Sequence, residues 1–223
     1  QSLIGSLNHC AYIIPAGRAF LRRLIDLTKG ITLPHFHIRY NSDTRADIMT
    51  WVTFLQNYNG KSMMHDDDWE SANVIKLVTD ASHTGFGAIC NNSWFFGRWP
   101  DHWLSFHISL LELYPIVAAF EVWASTLANK KVLIYTDNVA TMHFINACSS
   151  KDTLVMKLVR PFVLKALEHN IKFKSMHIPG LTNKRADALS RLQLQTFRRL
   201  FPAADPKPSN IPSDILPSNM IPP

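Results

Sequence analysis

The chain contains two runs of the same make, "IKLVTDAS" over residues 75–82 and "VLIYTDN" over 132–138. Each is a β-branched and aliphatic stretch of the kind that fills a sheet interior, and each then ends Thr-Asp. One such ending is ordinary, because Asp and Asn favour turns and helix N-caps. Two of them constrain the fold much more if the strands are neighbours. Two carboxylates then meet at one sheet edge, about 4.8 Å apart, where they repel unless a cation lies between them.

The order of elements allows the strands to be neighbours. Alternation predicts strands at 74–81, 85–91 and 93–99, with "SHTG" and "NNS" as the turns of an antiparallel meander. A long helix at 109–127 follows, then a strand at 131–137, helices across 138–147 and 152–169, a strand at 171–178 and a helix at 182–192. Hairpins make the first three strands antiparallel, and a strand–helix–strand connection makes its two strands parallel. If the fourth strand pairs beside the first, Asp80 and Asp137 share one C-terminal edge. The start of the long helix brings Glu112 to that edge, and the last helix brings Asp187. Four acids drawn from segments this far apart make a hard-cation site, and ligands that are all oxygen suit magnesium or manganese. Two such ions about 3.5–4 Å apart activate a water and stabilise the leaving oxygen in attack on a phosphodiester.

Taken singly, each acid has a plainer explanation. Ser109-Leu-Leu-Glu112 fits a capping box. Asp137 or Asn138 fits an N-cap, Asp80 a turn residue and Asp187 an exposed helical acid. His83 and His177 fall near the same edge; His177 fits either a hydrogen-bonded strand histidine or a group that orients substrate or aids product release. "HDDD", residues 65–68, reads as a solvated hinge.

Residues 1–29 look like helical hairpin broken at "IPAGR", "ITLPHFHIRY" looks extended, and residues 44–58 carry apolar positions at helical spacing. Their apolar faces need a partner. The last residues, "PAADPKPSNIPSDILPSNMIPP", are rich in proline without a helical or strand period, which predicts a linker. The expected division is therefore 1–70, 71–200 and 201–223. An opening Gln rather than Met suggests a piece excised from a longer polyprotein. The three cysteines, Cys10, Cys90 and Cys148, lie far apart with no CxxC, which fits a reducing compartment. No apolar run approaches the roughly 18 residues of a membrane span, so no membrane partner is expected and an intracellular place, cytoplasm or nucleus, is. The formal charge of +6 favours polyanionic partners.

The ordered motifs "TDAS…GFGA", "LELYPIVAAFEVW", "YTDN" and "HIPGLTNKRADALSR" resemble those of the RNase H domain of retrotransposon reverse transcriptases, over about residues 74–192. "LIGSLNHCAYIIPAGRAFLRRL" and "DIMTWVTFLQNYNG" are similar to the thumb or connection segment in front of that domain in DIRS-like or gypsy-like elements. The resemblance implies an RNase H-like α/β fold: a five-stranded mixed sheet flanked by helices, preceded by a small mainly helical segment. It makes Asp80, Glu112, Asp137 and Asp187 the catalytic, metal-binding acids for two Mg2+ or Mn2+ ions; His177 and Asn138 are candidate auxiliaries from their place at the same edge. The implied partners are an RNA–DNA hybrid and an upstream polymerase domain of the same polyprotein. Lys157, Lys165, Lys172, Lys174, Lys184, Arg185 and Arg191 are the candidate phosphate contacts. Three alternatives stay open: a silent connection module that grips hybrid, a DNA-acting nuclease of the same superfamily, which usually lacks an acid where Glu112 stands, and a plain protein-interaction domain, which would bind no divalent metal at the acid edge.

Overall fold

A computed structural model describes residues 1–33, 35–56, 69 and 73–222. The "HDDD" stretch and the expected boundary at 70/71 lie outside the described residues. In chain order the elements are α1 (Ser2–Cys10), α2 (Arg22–Leu27) and α3 (Ser42–Gln56), then β1 (Val74–Ala81), β2 (Gly85–Cys90) and β3 (Ser93–Arg98). They continue with α4 (Ile108–Leu127), β4 (Lys131–Thr136), α5 (Val139–Ala147), α6 (Thr153–Glu168), β5 (Lys172–His177), α7 (Lys184–Ser190), α8 (Leu194–Leu200) and α9 (Pro217–Met220).

The sheet order is β3-β2-β1-β4-β5. Strands β1, β4 and β5 run parallel and β2 runs against β1 and β3, so the chain has an RNase H-like α/β fold. The expected strands fall within a residue or two of these bounds. Helix α8 was not foreseen, because the turn at Leu192 separates it from α7 and leaves only seven residues to carry a period.

One sheet face is the core. Ile75 and Leu77 of β1 and Val132 and Ile134 of β4 pack there with α4, which is covered in turn by α6. Because α4 is enclosed on both sides it is apolar nearly all round. By length and composition it is long and apolar enough to cross a membrane, which corrects the expectation that no run reaches that length. Most of it is buried inside this molecule. On the other face, α7 and α8 cover β2 and the end of β1. Gly87 permits this approach: a Cβ there would lie 2.3 Å from the Cβ of Leu189.

The first helices use α6 as their partner. Leu7, Phe20, Leu24 and Trp51 join the same core as Val155, Phe162 and Val163. A buried ion pair fixes this contact: Asp47 of α3 accepts from Arg23 at 3.0 Å and faces Arg160 of α6 at 3.7 Å.

Residues 201–222 are not a free linker. The backbone N–H groups of Asp205 and Ser209 donate to Asn92 and Trp94 carbonyls along the edge strand β3. Further on, Trp103 donates its indole N–H to the Pro217 carbonyl at 3.0 Å, and Tyr114 its hydroxyl to that of Ile215 at 3.0 Å. Proline removes backbone donors but not carbonyls. A proline-rich strap can therefore be held by side-chain donors from a groove of Trp and Tyr, a pattern with no period in the strap's own sequence.

Candidate active site

Parallel pairing of β1 with β4 puts Val78 opposite Tyr135, so two residues further on Asp80 and Asp137 stand side by side. Glu112 arrives from the first turns of α4. One carboxylate oxygen from each of the three lies within 4.8 Å of the others. The sequence expectation of convergence holds for these three.

The capping-box explanation of Glu112 does not hold. His107 is the N-cap of α4, its Nδ1 accepting from the Ser109 N–H at 3.2 Å. Glu112 instead crosses to the sheet, where its Oε1 accepts from the Ala81 N–H at 3.1 Å. Its Oε2 is buried without a hydrogen-bond partner. Asn138 does cap α5, accepting from the Thr141 N–H at 3.0 Å, and this leaves the neighbouring Asp137 carboxylate for the cluster.

Asp80 is held by neutral donors. The Asn183 amide donates to its Oδ1 at 3.1 Å, and the Ser190 hydroxyl donates to its Oδ2. Burial pushes the Asp80 carboxyl up to about 7; the Ser190 hydrogen bond opposes this, and the charges of Asp137 and Asp187 add to it. Burial raises Glu112 well above the usual carboxylate range, reinforced by Asp80 and Asp137. Asp137, half-buried, is raised by the same cause. Among the described residues no cation touches Asp80, Glu112 or Asp137.

Such a cluster suits an external positive charge. The donor set is entirely oxygen, Glu112 offers a buried orphan atom, and the three carboxylates disfavour one another's ionisation; all of this fits a divalent metal. Asp187 stands close enough for its charge to act on Asp80 and Asp137, but its Oδ1 is engaged by Arg191 at 2.7 Å. The structure thus gathers three of the four acids and leaves the fourth at the rim in an ion pair.

Two positioning residues escaped sequence reasoning. Asn183 is the N-cap residue of α7, yet its side chain makes no cap and turns to Asp80 and to the Thr79 carbonyl, 2.9 Å away. Ser190 closes the same short helix. Their signal was the placement of Asn and Ser seven residues apart around Asp187. His177 is exposed, with its Nε2 3.1 Å from the Asp137 carbonyl, and His83 sits in the exposed turn after β1. Gly180 faces the cluster from the other side: a Cβ there would lie 3.0 Å from Asp137 Oδ2.

The expected phosphate contacts divide into three groups. Lys184, Arg185 and Arg191 belong to α7 and its end, beside the carboxylates, although Arg185 lies over the Phe201 ring at 4.5 Å. Lys172 and Lys174 stand on β5. Lys157 and Lys165 lie on α6, on the opposite face of the sheet, and Lys165 is tied to Glu121 and Glu168 at 3.1 and 3.2 Å. The geometry therefore removes these last two from the site.

No family model matches the chain. No curated protein matches it either. Among solved structures, an RNase H1 from the halophilic archaeon Halobacterium salinarum NRC-1 overlaps 54% of this chain and 98% of its own, with 16% identity and a TM-score of 0.40. A foamy viral protease-reverse transcriptase (dRH) in complex with double-stranded DNA overlaps 79% of this chain and 33% of its own, with 15% identity and a TM-score of 0.33. The native Prototype Foamy Virus protease-reverse transcriptase overlaps 79% and 24%, with 17% identity and a TM-score of 0.31. The chain spans a third or less of each viral chain. At these values the likeness adds nothing to what strand order already gives, and the chemistry rests on the side chains themselves.

Proposed function

We propose that the chain is a divalent-metal-dependent endonuclease that hydrolyses the RNA strand of RNA–DNA hybrids during reverse transcription of a retrotransposon. The observation that carries this reading is the buried Glu112 carboxylate, its Oε2 without a hydrogen-bond partner, clustered with Asp80 and Asp137 and touched by no cation among the described residues. Asp80, Glu112 and Asp137 hold the metal, and Asp187 completes the ligand set once it leaves Arg191. When bound, a pair of magnesium or manganese ions supplies the activation of a water and the stabilisation of the leaving oxygen.

The chain's own groups do the rest. Asn183 and Ser190 fix the Asp80 carboxylate before substrate arrives, so little reorganisation is needed at the reacting phosphate. In the reaction, water oxygen bonds to phosphorus and the bond to the 3′-oxygen breaks, leaving a 3′-hydroxyl and a 5′-phosphate. Lys184 and Arg185 hold the neighbouring phosphates, while A-like hybrid shape and 2′-hydroxyl contacts choose the strand. An upstream polymerase domain of the same polyprotein supplies the hybrid.

Incubating the chain with end-labelled RNA–DNA hybrid, with magnesium or with chelator, tests this directly. Magnesium-dependent cutting of the RNA strand alone is expected. Hybrid binding without cutting would leave a silent gripping module instead, and cutting of duplex DNA would make it a DNA-acting nuclease.

A further inference from the structure

The sheet face opposite α4 is covered by α7 and α8 only over β2, β3 and the end of β1. Among the described residues no helix covers it over β4 and β5, where Leu133 is buried and the Trp69 ring lies against Lys131 and Lys174, and strand register lays it out in rows. Residues Val74, Lys131 and Lys172 form one row; Lys76, Leu133 and Lys174 the next; Val78, Tyr135 and Met176 the third. Rows on one face are two residues apart, roughly 6.7 Å. The next row in the same direction is Asp80 and Asp137. A lane of four lysines from three strands therefore leads, on one face, up to the carboxylate edge.

The described strand segments of the lane, "VIKLV", "KVLIY" and "KFKSM", contain no acid. No ion pair among the described residues holds Lys76, Lys172, Lys174 or Lys184. Aromatic rings stand between the cations. Tyr135 is half-exposed in the third row, and the Trp69 ring lies 5.9 Å from the Lys131 ammonium and 6.0 Å from that of Lys174. Where the lane meets α7, Val78, Tyr135, Ile178, Lys76, Lys184 and Arg185 line a groove of about 740 Å³, with an apolar floor and a basic rim.

We infer that this lane binds single-stranded nucleic acid, namely the unpaired continuation of a duplex seated at the carboxylate edge. Cations spaced along a path track a phosphate backbone, and rings between them take base faces, which are available only when the strand is unpaired. A paired duplex offers its phosphates but hides its base faces, so it leaves Tyr135 and Trp69 unused. The inference rests on the nuclease reading for what lies at the carboxylate edge. The lane itself is distinct from that edge, because none of its cations touches the metal-binding acids.

Binding of a fluorescent oligothymidylate of about 12 nucleotides, a length suited to a single-strand track, tests the lane in chelator, where cleavage plays no part. The full chain should bind it. Lys76→Glu with Lys174→Glu should weaken binding about tenfold or more and lower the log–log salt slope by about 1.4, the value for two lost single-strand phosphate contacts. Lys157→Glu, on the far face, should change affinity less than twofold. A hybrid with a single-stranded overhang should bind the wild-type chain several-fold tighter than a blunt one, and the double variant should lose that difference. Lys76→Ala with Lys174→Ala should act in the same direction, which guards against misfolding of the charge reversal. Unchanged affinity in both double variants, or no gain from the overhang, would overturn the inference. So would displacement of the oligonucleotide by polyglutamate at equal charge concentration, which would assign the lane to an acidic protein segment. Failure of the magnesium-dependent cleavage assay alone would sink the nuclease reading and leave the lane standing.

Discussion

Asp47 is as deeply buried as Asp80 and Glu112, at 3%, 4% and 3% exposure, yet their surroundings are opposite. Asp47 brings its counter-ions with it. Burial raises its carboxyl, while Arg160 and Arg23 pull it back. Asp80 and Glu112 touch neutral donors and other acids, whose charges push in the same direction as burial, and only Arg191, acting on Asp80 without touching it, pulls back. A buried acid paired within the chain joins elements, here α3 to α6. A buried acidic cluster with no cation of its own costs stability when empty and has its use when a cation arrives.

The strongest way to break this contrast is catalytic. Glu112→Gln keeps an oxygen for the Ala81 N–H but removes charge from the cluster. It should cut magnesium-dependent hybrid cleavage by about 10²–10³-fold or more, the scale of a lost electrostatic group. Asp47→Asn should stay within about threefold, since a change in a remote ion pair leaves the reacting geometry alone. Equal losses in a gel assay would mean that the two acids are not different in kind.

Stability should move the other way. Asp47→Ala strands Arg160 and Arg23 and should cost about 3 kcal/mol in urea unfolding, as for other broken buried pairs. Asp80→Asn removes a repelled charge, so at pH 8 in chelator it should raise the midpoint. A fall would show that the hydrogen bonds from Asn183 and Ser190 outweigh the repulsion.

The pH dependence sharpens the contrast further. Folded Asp80 titrates near 7, whereas its unfolded value is about 3.9. The folded state therefore holds more protons between these values, and stability in chelator should fall as pH rises from about 4 to about 7, by on the order of 4 kcal/mol. Glu112 shifts in the same sense, and so does Asp47, which makes the variants necessary. Asp80→Asn should flatten the descent, and saturating magnesium at pH 8 should restore the lost stability. A descent unchanged in Asp80→Asn would place the titration elsewhere.

The smallest effect concerns the neutral donors. Ser190→Ala removes a hydrogen bond that lowers the Asp80 pKa. The acid limb of the cleavage profile should move up by less than one unit, with a rate loss at pH 7 below tenfold and a stability cost of about 1 kcal/mol. An unmoved limb with the same stability loss would make Ser190 purely structural.

How much was legible follows from the range of each signal. The strands and long helices could be read to within a residue or two because their periods are local, whereas pairing of β4 beside β1 entered as a condition that the sheet order meets. Asp80, Glu112 and Asp137 were found because each stands at an element end that topology sends to one edge. Asn183 and Ser190 were not found, because neither carries a charge and their spacing around Asp187 gains meaning only when both face Asp80 from the two ends of α7. The tail misled because proline content reports on backbone donors and says nothing of the Trp103 and Tyr114 donors that hold it. Lys157 and Lys165 misled because charge in a sequence has no face.

By itself, the sequence determined the order of elements, the hydrophobic face of each strand and the edge where three carboxylates gather, since all of these depend on periods and on handedness that the chain carries locally. The tertiary structure alone decided which acids are neutralised from within. The partnership of Asp47 with Arg160, the engagement of Asp187 by Arg191 and the partnerless oxygen of Glu112 depend on which side chains meet after folding. Local pattern fixes the direction in which a residue points, but only packing fixes what it meets there.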